Sequence, residues 1–307
     1  MAEDQTYNGD AWNEEASILL KKFHWEQIGD ANIDVINDEG KATGLDRVFK
    51  ILDLNRKGNA EIVVVEAKRY QTTSFSKTKI SEWIKTLDGK LNKVRGSSEF
   101  RQTYGIDGIQ MRIGLIIIWF PDVDAFLTPS FQKAYLDSLL HYKASSYSRR
   151  AGSNRIYVIT NDVILRLCSM SHHIDEFQRK QAVKLRYFFP GSTDANRPVS
   201  RNDQLTIDYF LSKFILMESS VASDTTYNIV FYFGQINLAS FKRLSSALYT
   251  LKFVDEDKKL VIYHYENHDE LRKIKPEIEK LFPKIDFQLK KMTHFRTLPP
   301  ELEPDHD

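Results

Sequence analysis

Two charged side chains directly follow a short apolar stretch in the first quarter of the chain. Residues 62–65 are Ile, Val, Val and Val, a β-branched run that predicts an inner strand. Glu66 and Lys68 come next, and because side chains alternate along a strand, both face one side while Ala67 faces the packing. Burying such a pair costs desolvation energy, which a chain tolerates more readily where the charges have a task, such as holding a divalent cation.

The tripeptide Glu-x-Lys occurs three times, at 39–41, 66–68 and 256–258. The first and third copies lie in polar turns, where solvated loops are the ordinary interpretation. Only the middle copy ends an apolar strand, and it follows a second candidate strand, 44–52, which carries Asp46. Turn-forming residues between these strands predict a hairpin or meander, which places Asp46 on a strand paired with the one that bears Glu66.

A helix is expected before these strands. Asn13 is a suitable N-cap, and apolar residues recur at helical spacing from Trp12 to Phe23. Glu15 lies on the apolar stripe and Glu14 at its edge. An acid that faces inward either pairs with a core-facing cation or helps to bind metal, and the sequence leaves both interpretations open.

This order of parts resembles the PD-(D/E)xK nuclease superfamily, which has the restriction-endonuclease-like fold. The residues 44–46, Gly-Leu-Asp, match the acidic strand, and 66–68, Glu-Ala-Lys, match the (D/E)xK strand. The resemblance covers roughly residues 10–190. Two features depart from the family: no proline precedes Asp46, and Gln71 follows Lys68 more closely than the glutamine-bearing helix of many members. The helix after the motif is therefore unassigned.

The resemblance implies an α/β fold with a mixed central sheet flanked by helices, and metal-assisted hydrolysis of phosphodiester bonds. Asp46, Glu66 and the Ala67 carbonyl would bind Mg²⁺ or Mn²⁺. Lys68 would orient a water molecule or stabilise charge on the phosphate, and Glu15, with Glu14 as second choice, would contact a metal-bound water or a second ion. A buried ion pair without catalysis is the competing interpretation.

The net charge is only +1, but the charges are unevenly distributed. Residues 1–66 contain 7 Lys/Arg and 14 Asp/Glu, whereas residues 68–95 contain 8 Lys/Arg and 2 acids. An acidic centre next to a basic segment fits a metal site beside a phosphate-binding surface, and two solvated helix faces would give the same pattern. The candidate nucleic-acid-binding residues are Lys77, Lys79, Lys85, Arg149 and Arg150.

The length of 307 residues suits one large domain or, more readily, two. The polar stretch 191–202 predicts a boundary, so that residues 1–195 form the nuclease-like domain and 196–298 a smaller C-terminal α/β domain with an accessory or partner-binding role. Helices are expected at 174–188 and 205–217, followed by a β-α-β rhythm with a mainly parallel sheet. The acidic, Pro-rich tail, 299–307, is expected to be disordered.

The remaining motifs exclude several classes of protein. Cys168 is the only cysteine, which excludes an internal disulfide or a thiolate cluster and suits a reducing cytoplasm. The N-terminus lacks the pattern of a signal peptide, and no apolar run is long enough to span a membrane. His172 and His173 are expected at a solvated helix start, and Trp83 in the core. No Gly-rich phosphate loop is present.

The sequence therefore predicts a Mg²⁺-dependent nuclease in the cytoplasm, with DNA as the expected substrate. By the same resemblance it would be a regulated effector of bacterial phage defence or restriction, controlled by a partner ATPase or helicase or by homo-oligomerisation, with no membrane partner. A non-catalytic nucleic-acid-binding or scaffold subunit is the alternative. Endo- or exonucleolytic action and sequence specificity are not encoded in any motif.

Overall fold

The computed structural model describes residues 8–36, 39–52, 60–76, 78–145, 154–191, 199–219, 225–265 and 271–302. The chain forms two compact units: Met1–Ile164 together with Arg296–Asp307, and Leu165–Phe295. The division between these units therefore lies at 164/165. The domain boundary that the sequence predicts, at 195/196, stays a prediction. Among the described residues, no helix has both the length and the apolar character needed to cross a membrane.

The first unit is built around a five-stranded mixed sheet. Its elements are α1 (Asn8–Lys22), β1 (Glu26–Gln27), β2 (Ile33–Ile36), β3 (Ala42–Leu45), β4 (Arg47–Leu52), β5 (Ala60–Arg69), α2 (Lys79–Arg95), α3 (Ser98–Thr103), β6 (Gln110–Trp119), α4 (Val123–Phe126), α5 (Pro129–Ser145) and β7 (Arg155–Ile159). The strand order is β1-β4-β5-β6-β7. β4 runs antiparallel to β5, and β5, β6 and β7 are parallel. This arrangement confirms the restriction-endonuclease-like fold class.

The core of this unit lies between the sheet and its helices. α2 buries an apolar stripe that includes Leu87 and Leu91, and it approaches β6 so closely that a Cβ at Gly114 would lie 2.7 Å from Leu87 Cδ2. α1 packs against β5, and Trp12 Nε1 donates a hydrogen bond to the carbonyl of Ile117 at 3.3 Å. α1 and α2 therefore hold the central strands β5 and β6 in place.

Two local predictions in this unit need correction. α1 begins at Asn8, so Asn13 is not its N-cap; the Asn13 side chain is partly buried within the helix, where an N-cap preference has no effect. The predicted strand 44–52 is two strands, β3 and β4, because the chain bends at Asp46. β3 pairs with β2 in a separate two-stranded ribbon, while β4 pairs with β5 as the hairpin prediction required.

The second unit contains a six-stranded sheet. α6 (Asn161–Gln181) runs across the division between the units, and β8 (Leu185–Phe189), β9 (Ser200–Asn202), α7 (Ile207–Phe210), β10 (Phe214–Ser219), β11 (Tyr227–Tyr232), α8 (Leu238–Thr250), β12 (Lys259–His264), α9 (Leu271–Glu279) and β13 (Phe287–Lys291) follow. The strand order is β13-β12-β11-β10-β8-β9. β11, β12 and β13 are parallel, whereas β8, β9 and β10 join antiparallel.

Several predicted elements of the second unit were wrong. The expected helix 205–217 is the short α7 followed by β10, and the expected helix 174–188 is the end of α6 followed by β8. The sheet is consequently mixed and not mainly parallel. Near the C-terminus, Pro300–Leu302 forms a 3₁₀ turn in which Leu302 is buried. The disorder predicted for residues 299–307 is therefore wrong for this turn, and residues 303–307 lie outside the described residues.

Candidate active site

The structure brings the side chains of Asp46, Glu66 and Lys68 together at the end of β5. Lys68 Nζ lies 3.3 Å from Glu66 Oε2 and 3.7 Å from Asp46 Oδ2. The strand register explains the approach: Arg47 pairs with Val65, so Asp46, one residue earlier, comes level with Glu66. The backbone N–H of Ala67 also donates to Asp46 Oδ2 at 3.3 Å. The ammonium group of Lys68 thus bridges two carboxylates from neighbouring segments.

The three side chains differ in exposure. Glu66 is 6% exposed, whereas Asp46 is 19% and Lys68 22% exposed. Burial, and then the negative charge of Asp46, raise the pKa of Glu66, while Lys68 and Lys90 act in the opposite direction. Glu66 therefore lies at the closed end of the cluster, and Asp46 and Lys68 form its water-accessible side.

Lys90, on α2, is a part of this cluster that the sequence analysis missed. Its ammonium group forms an ion pair with Glu66 Oε1, whereas Lys68 lies 3.3 Å from the other carboxylate oxygen, Oε2. Lys90 is 20% exposed. A sequence signal for it exists: Lys90 follows Leu87 by three residues and precedes Val94 by four, so it falls on the buried face of the helix.

One acid of α1 pairs with a second buried cation. Arg47, whose side chain is 7% exposed, forms an ion pair with Glu14. Glu14, which the sequence places at the edge of the apolar stripe, is thus the acid that pairs with a core-facing cation, and for the inward-facing Glu15 both interpretations stay open. Glu15 is partly buried on the same helix, and its proposed catalytic role stays a prediction.

The cluster offers a small set of oxygen ligands for a metal ion. Among the residues that the structure describes, no three His, Cys, Asp or Glu side chains are grouped so that they could hold an ion. The acidic ligands available at this position are therefore the two carboxylates of Asp46 and Glu66. Hard carboxylate oxygens in this number suit Mg²⁺, which keeps several waters and requires only one or two protein carboxylates. The residues present fit such an ion.

The predicted nucleic-acid-binding residues lie partly within the described chain. Lys79, at the first turn of α2, pairs with Glu82 at 3.0 Å, and Lys85 is exposed on the same helix. Lys77, Arg149 and Arg150 lie outside the described residues. The described lysines therefore place positive charge on the helix that also carries Lys90.

Two aromatic predictions have opposite outcomes. Trp83 packs against the core of the first unit, with its ring 5.2 Å from that of Tyr70, as expected for a core residue. The predicted solvated helix start at His172 and His173 was wrong, because both residues lie inside α6 and His173 is buried. The backbone N–H of Thr293 donates to His173 Nε2 at 2.8 Å, which fixes this ring as an acceptor.

The mixed sheet and the acid-acid-lysine cluster at the end of β5 define the class of protein as a PD-(D/E)xK nuclease domain. The sequence model of the GAPS4 protein PD-(D/E)XK nuclease domain matches residues 1–163, more than half of the chain. The chain belongs to this family.

The other comparisons add little. No curated protein matches the sequence. A solved structure, the crystal structure of Aa-Ago with externally bound siRNA, is 12% identical, with a TM-score of 0.18, over 86% of this chain and 40% of that chain. This chain thus spans less than half the length of that protein, and the likeness carries no structural argument.

Proposed function

We propose that this protein is a metal-dependent deoxyribonuclease whose active site is formed by Asp46, Glu66 and Lys68. The observation that carries the proposal is the position of the Lys68 ammonium group, 3.3 Å from Glu66 and 3.7 Å from Asp46, on the water-accessible side of the cluster. Family membership independently supports a nuclease.

The roles of the residues follow from their chemistry. Asp46 and Glu66, with the Ala67 carbonyl, would hold Mg²⁺ or Mn²⁺, and such an ion acts as a Lewis acid and makes a bound water easier to ionise. Lys68 would orient the attacking water and stabilise negative charge on the phosphate. Glu15, with Glu14 as second choice, is the proposed α1 acid near this water or a second ion.

Substrate and context extend the proposal further. Lys79 and Lys85, together with Lys77, Arg149 and Arg150, would contact the DNA backbone without reading its sequence. GAPS4 proteins are a defence-associated family, which supports a cytoplasmic, regulated effector of phage defence or restriction. In this proposal, the second unit is the place where a partner ATPase or helicase, or a second copy of the chain, controls cleavage.

The test of this function is a cleavage assay with matched lysine variants. Purified protein is incubated with plasmid, single-stranded DNA or RNA in Mg²⁺ or Mn²⁺. We expect Lys68→Ala to slow cleavage by about 10²-fold or more, because it removes the charge nearest the proposed phosphate, while the protein still folds and still binds DNA. Lys50→Ala is the control: Lys50 lies on the neighbouring strand β4 and pairs with Glu26 at 3.3 Å.

A second readout does not depend on turnover. Mg²⁺ should raise the melting temperature of the wild-type protein and leave that of Glu66→Ala unchanged, because the variant lacks a ligand. Cleavage by Lys68→Ala at the wild-type rate would refute its assigned role. An equal metal-induced shift in both proteins would favour the alternative, a structural ion network in a non-catalytic subunit.

A further inference from the structure

The second unit contains a cleft of about 510 Å³ at the carboxyl end of β11. β11 is the strand at which this sheet changes from antiparallel pairing, with β10, to parallel pairing, with β12. Crevices at the carboxyl ends of parallel strands, where the strand arrangement changes, are the usual binding positions in α/β sheets. The cleft therefore lies where α/β sheets commonly bind their ligands.

The floor of the cleft is a tight turn between β11 and α8. Tyr232 Oη donates to the carbonyl of Gln235 at 3.3 Å, so the ring of this tyrosine folds over the turn. A Cβ at Gly234 would lie only 2.4 Å from Tyr232 Oη, which leaves no space for a side chain. Gly234 thus permits the hydroxyl end of the buried Tyr232 side chain to lie against the turn.

The charges that line the cleft are all positive. Lys213 and Arg243 are exposed lining residues, and none of the lining residues is acidic. Arg243 Nη2 donates to Ser240 Oγ at 3.0 Å, which holds one edge of the guanidinium group and leaves further N–H donors for a ligand. A lysine and an oriented arginine without an acidic neighbour in the lining favour an anion, and the planar fork of arginine suits phosphate.

Aromatic rings form the other part of the lining. Phe214, Tyr232 and Phe233 all line the cleft. The guanidinium carbon of Arg166 lies 5.0 Å from the centroid of the Phe233 ring, so this ring is itself held by a cation. Positive charges combined with aromatic faces are the elements with which proteins bind a phosphate and an attached base.

We propose that this cleft binds a nucleotide, with its phosphate at Lys213 and Arg243 and its base against the partly exposed rings of Phe214 and Phe233. The nucleotide is either free or the terminal residue of a nucleic-acid strand, since both present the same chemistry. The proposal concerns the second unit and does not depend on cleavage at Asp46, Glu66 and Lys68.

The test is a binding measurement on the full-length protein in EDTA, where chelation of divalent ions keeps cleavage from interfering. ATP, the 5′-phosphorylated dinucleotide pTpT and inorganic phosphate are titrated by calorimetry. We expect the double variant Lys213→Met/Arg243→Met to bind ATP or pTpT about tenfold more weakly or worse, because it removes both positive charges that would contact the phosphate. Lys242→Met is the matched control, because Lys242 is exposed on α8 and does not line the cleft.

The outcomes separate the possibilities. Binding of ATP alone identifies a free nucleotide as the ligand, and binding of pTpT alone identifies a strand end. Either result supports the proposal if the double variant weakens the binding and Lys242→Met does not. Absence of binding by all three probes overturns it. So does equal affinity for inorganic phosphate and ATP, or wild-type affinity in the double variant at an unchanged melting temperature. None of these results affects the cleavage test of the nuclease site.

Discussion

Glu66 is the most buried charge of the candidate active site, and two lysines from different elements contact its two carboxylate oxygens. Lys68 comes from the same strand and Lys90 from α2. Because burial raises the pKa of Glu66, its ionised form depends on both cations. The geometry of the proposed metal ligand is therefore determined jointly by β5 and α2.

Replacing Lys90 should destabilise the protein. Lys90→Met leaves the buried Glu66 carboxylate without the partner of Oε1, and we expect a loss of about 2 kcal/mol or more in the free energy of unfolding. Urea denaturation measures this value. Lys93→Met is the control, because Lys93 is exposed on the same helix and its substitution should change stability by only about 0.5 kcal/mol. Equal effects of the two substitutions would show that the pair with Glu66 contributes nothing.

His173 should make the stability of the protein depend on pH. Burial lowers the pKa of His173 below its ordinary value of 6.5, and protonation of Nε2 would remove the acceptor of the Thr293 N–H. Since the unfolded state takes up the proton more readily, this stability is fully present above about pH 6.5 and is lost as the pH falls through the lower folded-state pKa.

Thermal melts at pH 7.5 and 5.5 test this dependence. The decrease in melting temperature on acidification should be smaller in His173→Gln than in the wild type. His172→Gln serves as the control, because His172 is the exposed neighbour on α6. An unchanged decrease in His173→Gln would contradict the prediction.

At the scale of elements, the close approach of α2 to β6 depends on a glycine. A Cβ at Gly114 would lie 2.7 Å from Leu87 Cδ2, and Leu87 is fully buried. We expect Gly114→Ala to lower the free energy of unfolding by about 1–3 kcal/mol through overpacking. Gly89→Ala, in the interior of α2 with no atom within 4 Å of the added Cβ, should instead stabilise by about 0.5–1 kcal/mol. Denaturation curves that show the same sign for both changes would contradict the packing argument.

Local patterns predicted some elements well and others poorly. The convergence of Asp46, Glu66 and Lys68 was predictable because strand alternation and hairpin pairing are short-range properties. The ion pair of Lys90 with Glu66 depends on how a helix crosses a sheet, which spacing along the chain does not encode. The run 214–217 forms β10 and not a helix because a continuous apolar stretch carries no period that distinguishes the two structures.

At the scale of the whole molecule, the C-terminal segment belongs to the first unit. Residues 296–307 cluster with residues 1–164, and the turn that contains Leu302 packs against α1. Leu302 is 2% exposed. The chain thus leaves the first unit, builds the second and returns, which the prediction of a disordered acidic tail did not foresee.

Truncating the buried Leu302 should therefore destabilise the first unit. We expect Leu302→Ala to lower its free energy of unfolding by about 2–3 kcal/mol, through lost burial and the cavity left against α1. Native-state hydrogen exchange of α1 and β5 measures the effect within this unit. Glu301→Ala, at the exposed neighbouring position, should leave exchange unchanged. Similar protection in Leu302→Ala and the wild type would show that the turn contributes no stability.

The return of the chain to the first unit determines when this unit can complete its packing during synthesis. A ribosome releases α1, with Glu14 and Glu15, long before it adds Leu302, and the whole of the second unit is translated in the interval. The helix that packs against β5 therefore acquires the Leu302 turn as a packing partner only after the second unit has emerged. Full consolidation of the first unit is consequently deferred until the second unit has been translated.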